Sequence, residues 1–298
     1  MKAKTYITIV SVLLSAVLLS AGCREKTSAP ADAPETPAAP AKTAGGGAAE
    51  LSFADLETAG AKFVFEEDGR LKSADFTQLT EPAAFSPDEV SLWKSLRVLR
   101  GKGTLSDTLA RQIQTCSDLT ECLWLETVIS PAGLHALSNA GKLKKLRLTG
   151  MTAEPEQLQP LQKIATLAEL DLSAAVLSDE AIGVIARFPA LTRLNLYQNR
   201  IGDTGIENLL PSAERLIWLN LDDTQITDAA GPALSRFKNL KFLHLGRTKI
   251  TDEIIDSLAE LKSLETIHVT RTGITEEGAA RLRGALPDTR VISAVKEN

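Results

Sequence analysis

The chain of 298 residues is 44% hydrophobic and 24% charged, which is enough length and apolar content for a substantial core and too balanced for wholesale disorder. A formal charge of -5 and a pI near 5.4 argue against the concentrated basic face of a dedicated nucleic-acid binder, so no nucleic-acid partner is expected.

Residues 1–22 read as an export signal. Lys2 and Lys4 precede an apolar run from Ile7 to Leu19, and the small residues Ser20, Ala21 and Gly22 lead to Cys23. The run is shorter than the ~20 residues a bilayer-crossing helix needs, which disfavours a permanent span. The stretch LLSAGC resembles a bacterial lipoprotein box, although Ser20 stands where that pattern prefers the leucine found here at Leu19. The resemblance implies cleavage before Cys23 and lipid on its sulfur; the alternative is an ordinary secretory peptide with an incidental cysteine. Arg24, rather than Asp, after the modified residue would imply the outer membrane by the enterobacterial sorting rule. Residues 23–50 are rich in Ala, Pro, Thr and Gly with almost nothing to bury, and read as a linker tethering the domain over 51–298 to the cell envelope. The expected membrane contact is through the amino-terminal lipid alone.

The domain opens with a short helix expected over 51–59 and a hairpin over 60–76 turning at Asp68 and Gly69, whose second strand, with Leu71, Ala74 and Phe76, begins a sheet. Ser86 with Pro87 and Ser106 with Asp107 mark helix starts, but the spacing between 71 and 118 is irregular. Cys116 and Cys122 could bridge, or could simply be small buried apolar residues.

From residue 119 the chain repeats. Segments such as LKKLRLTGMTAE at 143, LTRLNLYQNRIG at 191 and LKFLHLGRTKIT at 240 recur at starts of 119, 143, 167, 191, 216, 240 and 264. A period this regular means a solenoid in which each coil buries its apolar face only by stacking on its neighbours. Leu219 and Leu221 around Asn220 mark a short parallel strand, and Ile226 turns inward. Thr227 and Asp228 read as a helix cap followed by an acid facing the helix dipole. The segment from 252 carries Ile254, Ile255, Leu258 and Leu261 at helical spacing. Around CLWLE the period places Cys122 and Trp124 inward while hydrophobicity alone favours Leu123 and Leu125; the period is preferred. The segment DTRVIS from 288 is expected to close the far edge.

Leu240, Leu243, Leu245, Thr248 and Ile250 meet the pattern LxxLxLxx(N/T/C)xI, so the chain resembles the leucine-rich repeat family over roughly residues 60–293. The TxITD form is most similar to the bacterial and cysteine-containing subtypes, with Asn199, Thr224, Thr248 and Thr272 where many relatives carry an asparagine ladder. The resemblance implies an α/β fold: a right-handed solenoid with a concave parallel sheet and helices on the convex side.

Positions between and just after the core leucines are free for function. They comprise Arg193, Asn195 and Tyr197, then Trp218, Asn220 and Asp222, then Phe242 and His244, then His268. With only 4% aromatic residues in the chain, Tyr197, Trp218 and Phe242 on successive coils point to a recognition patch for a protein, or for a glycan. His244 and His268 lack further metal ligands and are expected to make contact pH-sensitive instead. Glu121, Lys145, Glu169 and Arg193 alternate in sign along one column, which would keep the earlier coils solvated. No GxSxG, HExxH or Walker-type loop occurs, so a non-enzymatic binding module with neither cofactor nor metal is expected. Its rival is an envelope scaffold that associates with itself or the cell wall through its convex face.

Overall fold

A computed structural model of the chain describes residues 50–79, 84–85 and 90–293. The expected signal segment, Cys23, nearly all of the linker and the helix start at Ser86 lie outside them. The strands are β1 (Glu50–Leu51), β2 (Lys62–Phe65), β3 (Leu71–Asp75), β4 (Ala84–Phe85), β5 (Val98–Leu105), β6 (Glu121–Ile129), β7 (Lys145–Leu148), β8 (Glu169–Asp171), β9 (Arg193–Asn195), β10 (Trp218–Asn220), β11 (Phe242–His244), β12 (Thr266–His268) and β13 (Arg290–Ile292). Eleven form one sheet in the order β13-β12-β11-β10-β9-β8-β7-β6-β5-β3-β2, while β1 and β4 pair separately. The expected hairpin is β2–β3, the antiparallel pair at one edge, and every other pairing in the large sheet is parallel. The segment expected at the far edge is β13.

Strand pairing follows the repeat. Leu194, Leu219, Leu243 and Ile267 stand abreast on β9 to β12 and are all fully buried, as one leucine per coil must be if the coils share an interior. Cys122 and Trp124 point inward and Leu125 outward, so the period was the correct guide to β6. The bulky indole fits because its neighbour on β5 is Gly101: a Cβ there would collide with the indole ring. The Trp124 Nε1–H donates to the Gly103 carbonyl at 3.1 Å, which satisfies the polar atom of a buried side chain.

Within the long strands β5 and β6, and just past β7 to β12, the chain turns through one residue with positive φ. These are Gly103, Glu126, Gly150, Ala174, Gln198, Asp223, Arg247 and Arg271, one per coil. There the N–H of Gln198, Asp223 and Arg247 donates to the carbonyl of Asp222, Gly246 and Thr270 respectively, which carries the ladder past the strand end. Coil geometry imposes the conformation, since six of the eight residues are not glycine and would each avoid it by about 1 kcal/mol or more.

On the other side of the coil, Ser106, Ser130, Ser178 and Thr275 cap the helices Asp107–Ile113, Pro131–Leu137, Asp179–Ile185 and Glu276–Ala285, each accepting from the amide three residues on. Thr227 and Thr251 accept from the amide two residues on. There a short 3-10 turn precedes each of the helices Gly231–Leu234 and Ile255–Leu258. The helical segment expected from 252 is therefore two short pieces, although Ile254, Ile255, Leu258 and Leu261 are buried as its spacing required.

The acids after the caps do something other than face their own helix. Asp203 accepts from the amide and hydroxyl of Thr227 at 2.8 and 2.6 Å, Asp228 from those of Thr251 at 2.7 and 2.7 Å, and Asp252 from those of Thr275 at 2.8 and 2.6 Å. Each Thr-Asp pair thus staples one coil to the next. The close approach leaves room only for glycine at Gly278, where a Cβ would meet the Asp252 carboxylate. The threonines in the asparagine-ladder slot differ from Asn199: its Nδ2 reaches Leu172 O in the preceding coil at 2.9 Å, whereas Thr224 and Thr248 bond carbonyls of their own coil.

Cys116 and Cys122 are both buried free thiols, so the bridge left open by their spacing is absent. Burial pushes each thiol up to about 12. Neither should react with a thiol reagent at pH 8 in the folded chain, and both should react on denaturation; mass measurement before and after unfolding checks this. Among the described residues no helix is long and apolar enough to cross a membrane.

Candidate docking surface

The outward residues of β9 to β12 fall into three columns. Arg193, Trp218, Phe242 and Thr266 form the first and Asn195, Asn220, His244 and His268 the second. Tyr197, Asp222, Gly246 and Thr270 form the third, beyond the strand ends. Every residue singled out in the sequence as a site candidate is half-buried at this face.

Trp218 is held from two sides. The Arg193 guanidinium lies 4.9 Å from its ring centroid, and the His244 ring is 5.5 Å away. His244 in turn stacks on His268, with centroids 4.2 Å apart and planes 8° off parallel. Arg193 also faces Glu169 at 3.6 Å, and Glu169 pairs with Lys145 at 2.8 Å. Of the alternating column read from the sequence, Lys145, Glu169 and Arg193 form an ion-pair row ending on the indole, and among the described residues no ion pair joins Glu121 to it. The effect of the row is to hold the Trp218 ring in place, so that little side-chain freedom remains there.

Three of the expected contacts are used within the fold. Asn195 and Asn220 each accept, through Oδ1, from the amide two residues on, at 3.1 and 2.9 Å, so that among the described residues only their side-chain nitrogens are without a partner. Asp222 accepts from the Gly246 amide at 2.5 Å and faces His244 Nδ1 at 3.6 Å. The aromatic trio also divides. Trp218 and Phe242 stand abreast, while Tyr197 belongs to the third column and lines an open depression of about 560 Å³ with Asn220, Asp222, Gly246, Arg247, Thr270 and Arg271. Arg247 and Arg271 were not singled out from the sequence. The signal was present in "GRTKIT" and "TRTGIT", where arginine holds the same slot on successive coils.

Burial, and then the charge of His244, hold the His268 imidazole below its ordinary value, with Arg290 adding to this and Asp222 opposing it. A lowered histidine pKa favours the neutral form, so its contribution to stability is complete above about 6.5 and is lost as the pH falls from there through the folded value. The urea midpoint should therefore drop between pH 7 and pH 5, and drop less in His268→Gln; parallel profiles for the two chains would refute the assignment.

Among the described residues, no three His, Cys, Asp or Glu side chains gather where they could hold a metal. A family model described as Leucine Rich repeat matches residues 189–210 and 238–259, the coils that carry most of the candidate surface. The fold is a leucine-rich-repeat solenoid. Internalin C2 from Listeria monocytogenes superposes with a TM-score of 0.52 at 22% identity, over 69% of this chain and 84% of that one. The leucine-rich repeat protein LIC12759 of Leptospira interrogans matches at 19% identity over 74% of this chain and 60% of that one, with a TM-score of 0.47. Internalin InlF of Listeria monocytogenes matches at 16% identity over 74% and 73%, with a TM-score of 0.48. No curated protein matches the sequence. In this leucine-rich-repeat solenoid the sheet face left by the core leucines is an open, polar surface with one fixed indole at its centre. Such repeats in general serve protein–protein interaction.

Proposed function

We propose that the protein is an exported, lipid-anchored binding module that docks a protein partner on the concave sheet face around Trp218. The observation that carries this reading is the indole held half-exposed between Arg193 and His244, since rigid aromatic anchors rimmed by polar groups concentrate binding energy. The export run ending at Cys23 supports the anchored location, with the 23–50 segment as tether. Chemistry on a substrate is not part of this reading, because an open sheet face excludes water poorly.

Capture from a membrane extract tests the docking. The wild-type chain should retain a partner that the Trp218→Ala, Phe242→Ala double variant loses, with unchanged circular dichroism. A captured set identical for both chains would instead favour a scaffold acting through the convex face. Loss of the captured material to protease distinguishes a protein partner from a glycan. For the anchor, Cys23→Ser should move the protein from the membrane to the soluble fraction; a chain that stays in the membrane fraction contradicts lipidation at that sulfur.

A further inference from the structure

The geometry points to a carboxylate-binding subsite at the ends of β9 to β12, where Arg247 and Arg271 receive an acidic side chain of the docked partner. The inference rests on the reading of this face as a docking surface and names the chemistry of what docks. In the slot that turns each coil, the other described coils carry Gly103, Glu126, Gly150, Ala174, Gln198 and Asp223. Only the two coils that follow, with Arg247 and Arg271, place cations there, on neighbouring strands about 4.8 Å apart. Two like charges on neighbouring coils favour an anion between them.

Arg247 is partly neutralised from the preceding coil. Gln198 Nε2 donates to Asp223 Oδ2 at 3.3 Å, and the same oxygen faces Arg247 at 3.8 Å. The chain of contacts stops there: among the described residues the exposed Arg271 has no hydrogen bond or ion pair. The depression lined by Tyr197, Arg247, Thr270 and Arg271 is open above it, and its floor is low because Gly246 has no side chain. Asp222 lines the same hollow with one oxygen committed to the Gly246 amide and the other facing His244. With Asp223 facing Arg247 and Asp222 in the lining, a singly charged carboxylate is favoured over a phosphate dianion. Two guanidinium forks also match a planar carboxylate in geometry.

The test is selection of a random peptide library on the whole protein. Peptides retained by the wild-type chain should share an acidic position. Changing that acid to its amide, or Arg271→Gln in the protein, should each weaken binding about tenfold, and the two changes together should weaken it no further. Inorganic phosphate should compete no better than acetate. Peptides that bind without a shared acid, an acid-to-amide loss undiminished in Arg271→Gln, or preferential displacement by phosphate would each overturn the subsite while leaving the Trp218 surface intact. A library that yields no binder overturns the docking surface and the subsite together.

Discussion

Gly101→Leu is expected to unfold the amino-terminal coils, with a destabilisation of about 3 kcal/mol or more, because a side chain at that inward slot collides with the Trp124 ring. The indole cannot step aside easily: it is buried, and its Nε1–H is committed to the Gly103 carbonyl. Trp124→Leu alone should also cost about 3 kcal/mol, through the cavity left over Gly101. Combined in one chain, the two changes restore a large residue on β5 and a smaller one on β6, so the double variant should be more stable than either single one. Chemical denaturation of the four chains reads this directly. Additive losses would mean that Gly101 and Trp124 are not neighbours and that the register of β6 is wrong.

The second large effect is on binding. Trp218→Ala should lower affinity for the captured partner by about 2 kcal/mol or more, roughly thirtyfold, as expected for an aromatic anchor at the centre of a contact. Arg193→Ala should cost about 1 kcal/mol by freeing the ring that it covers. Stability should change little in either variant, because both side chains are half-exposed and the core beneath them is made by Leu194 and Leu219. Titration of purified partner against the three chains checks the order. Equal affinities for Trp218→Ala and the unmodified chain would remove the indole from the interface.

The core was legible because it obeys periodicity. Leu219, Leu243 and Ile267 are inward wherever the period puts them, and even Trp124 follows it against its neighbours' hydrophobicity. The caps were legible for a similar local reason, since Ser130, Ser178 and Thr275 each need only a nearby amide. What escaped the sequence depends on contact between coils. Asp228 reads locally as a charge at a helix start, yet its oxygens are taken by Thr251, a partner one full repeat away. The left-handed slot carries Ala174 as readily as Gly150, because closure of the coil sets that conformation and leaves no residue signature. That concealed Arg247 and Arg271, whose direction follows from the turn. For the candidate surface, the alternation identified which residues face outward. The slot order also put Trp218 abreast of Arg193 and left Tyr197 to a later slot, as the strand pairing has it.

Docking on the sheet face and docking on the helices predict different neighbours for a bound partner. The most direct measurement is photo-crosslinking in intact cells with a benzophenone amino acid placed either at Phe242, beside Trp218, or at the exposed Glu207 on the helix Asp203–Leu209. Docking on the sheet face gives one dominant adduct from position 242 and none of the same species from 207. An adduct formed from 207 alone, or identical products from both positions, would contradict it.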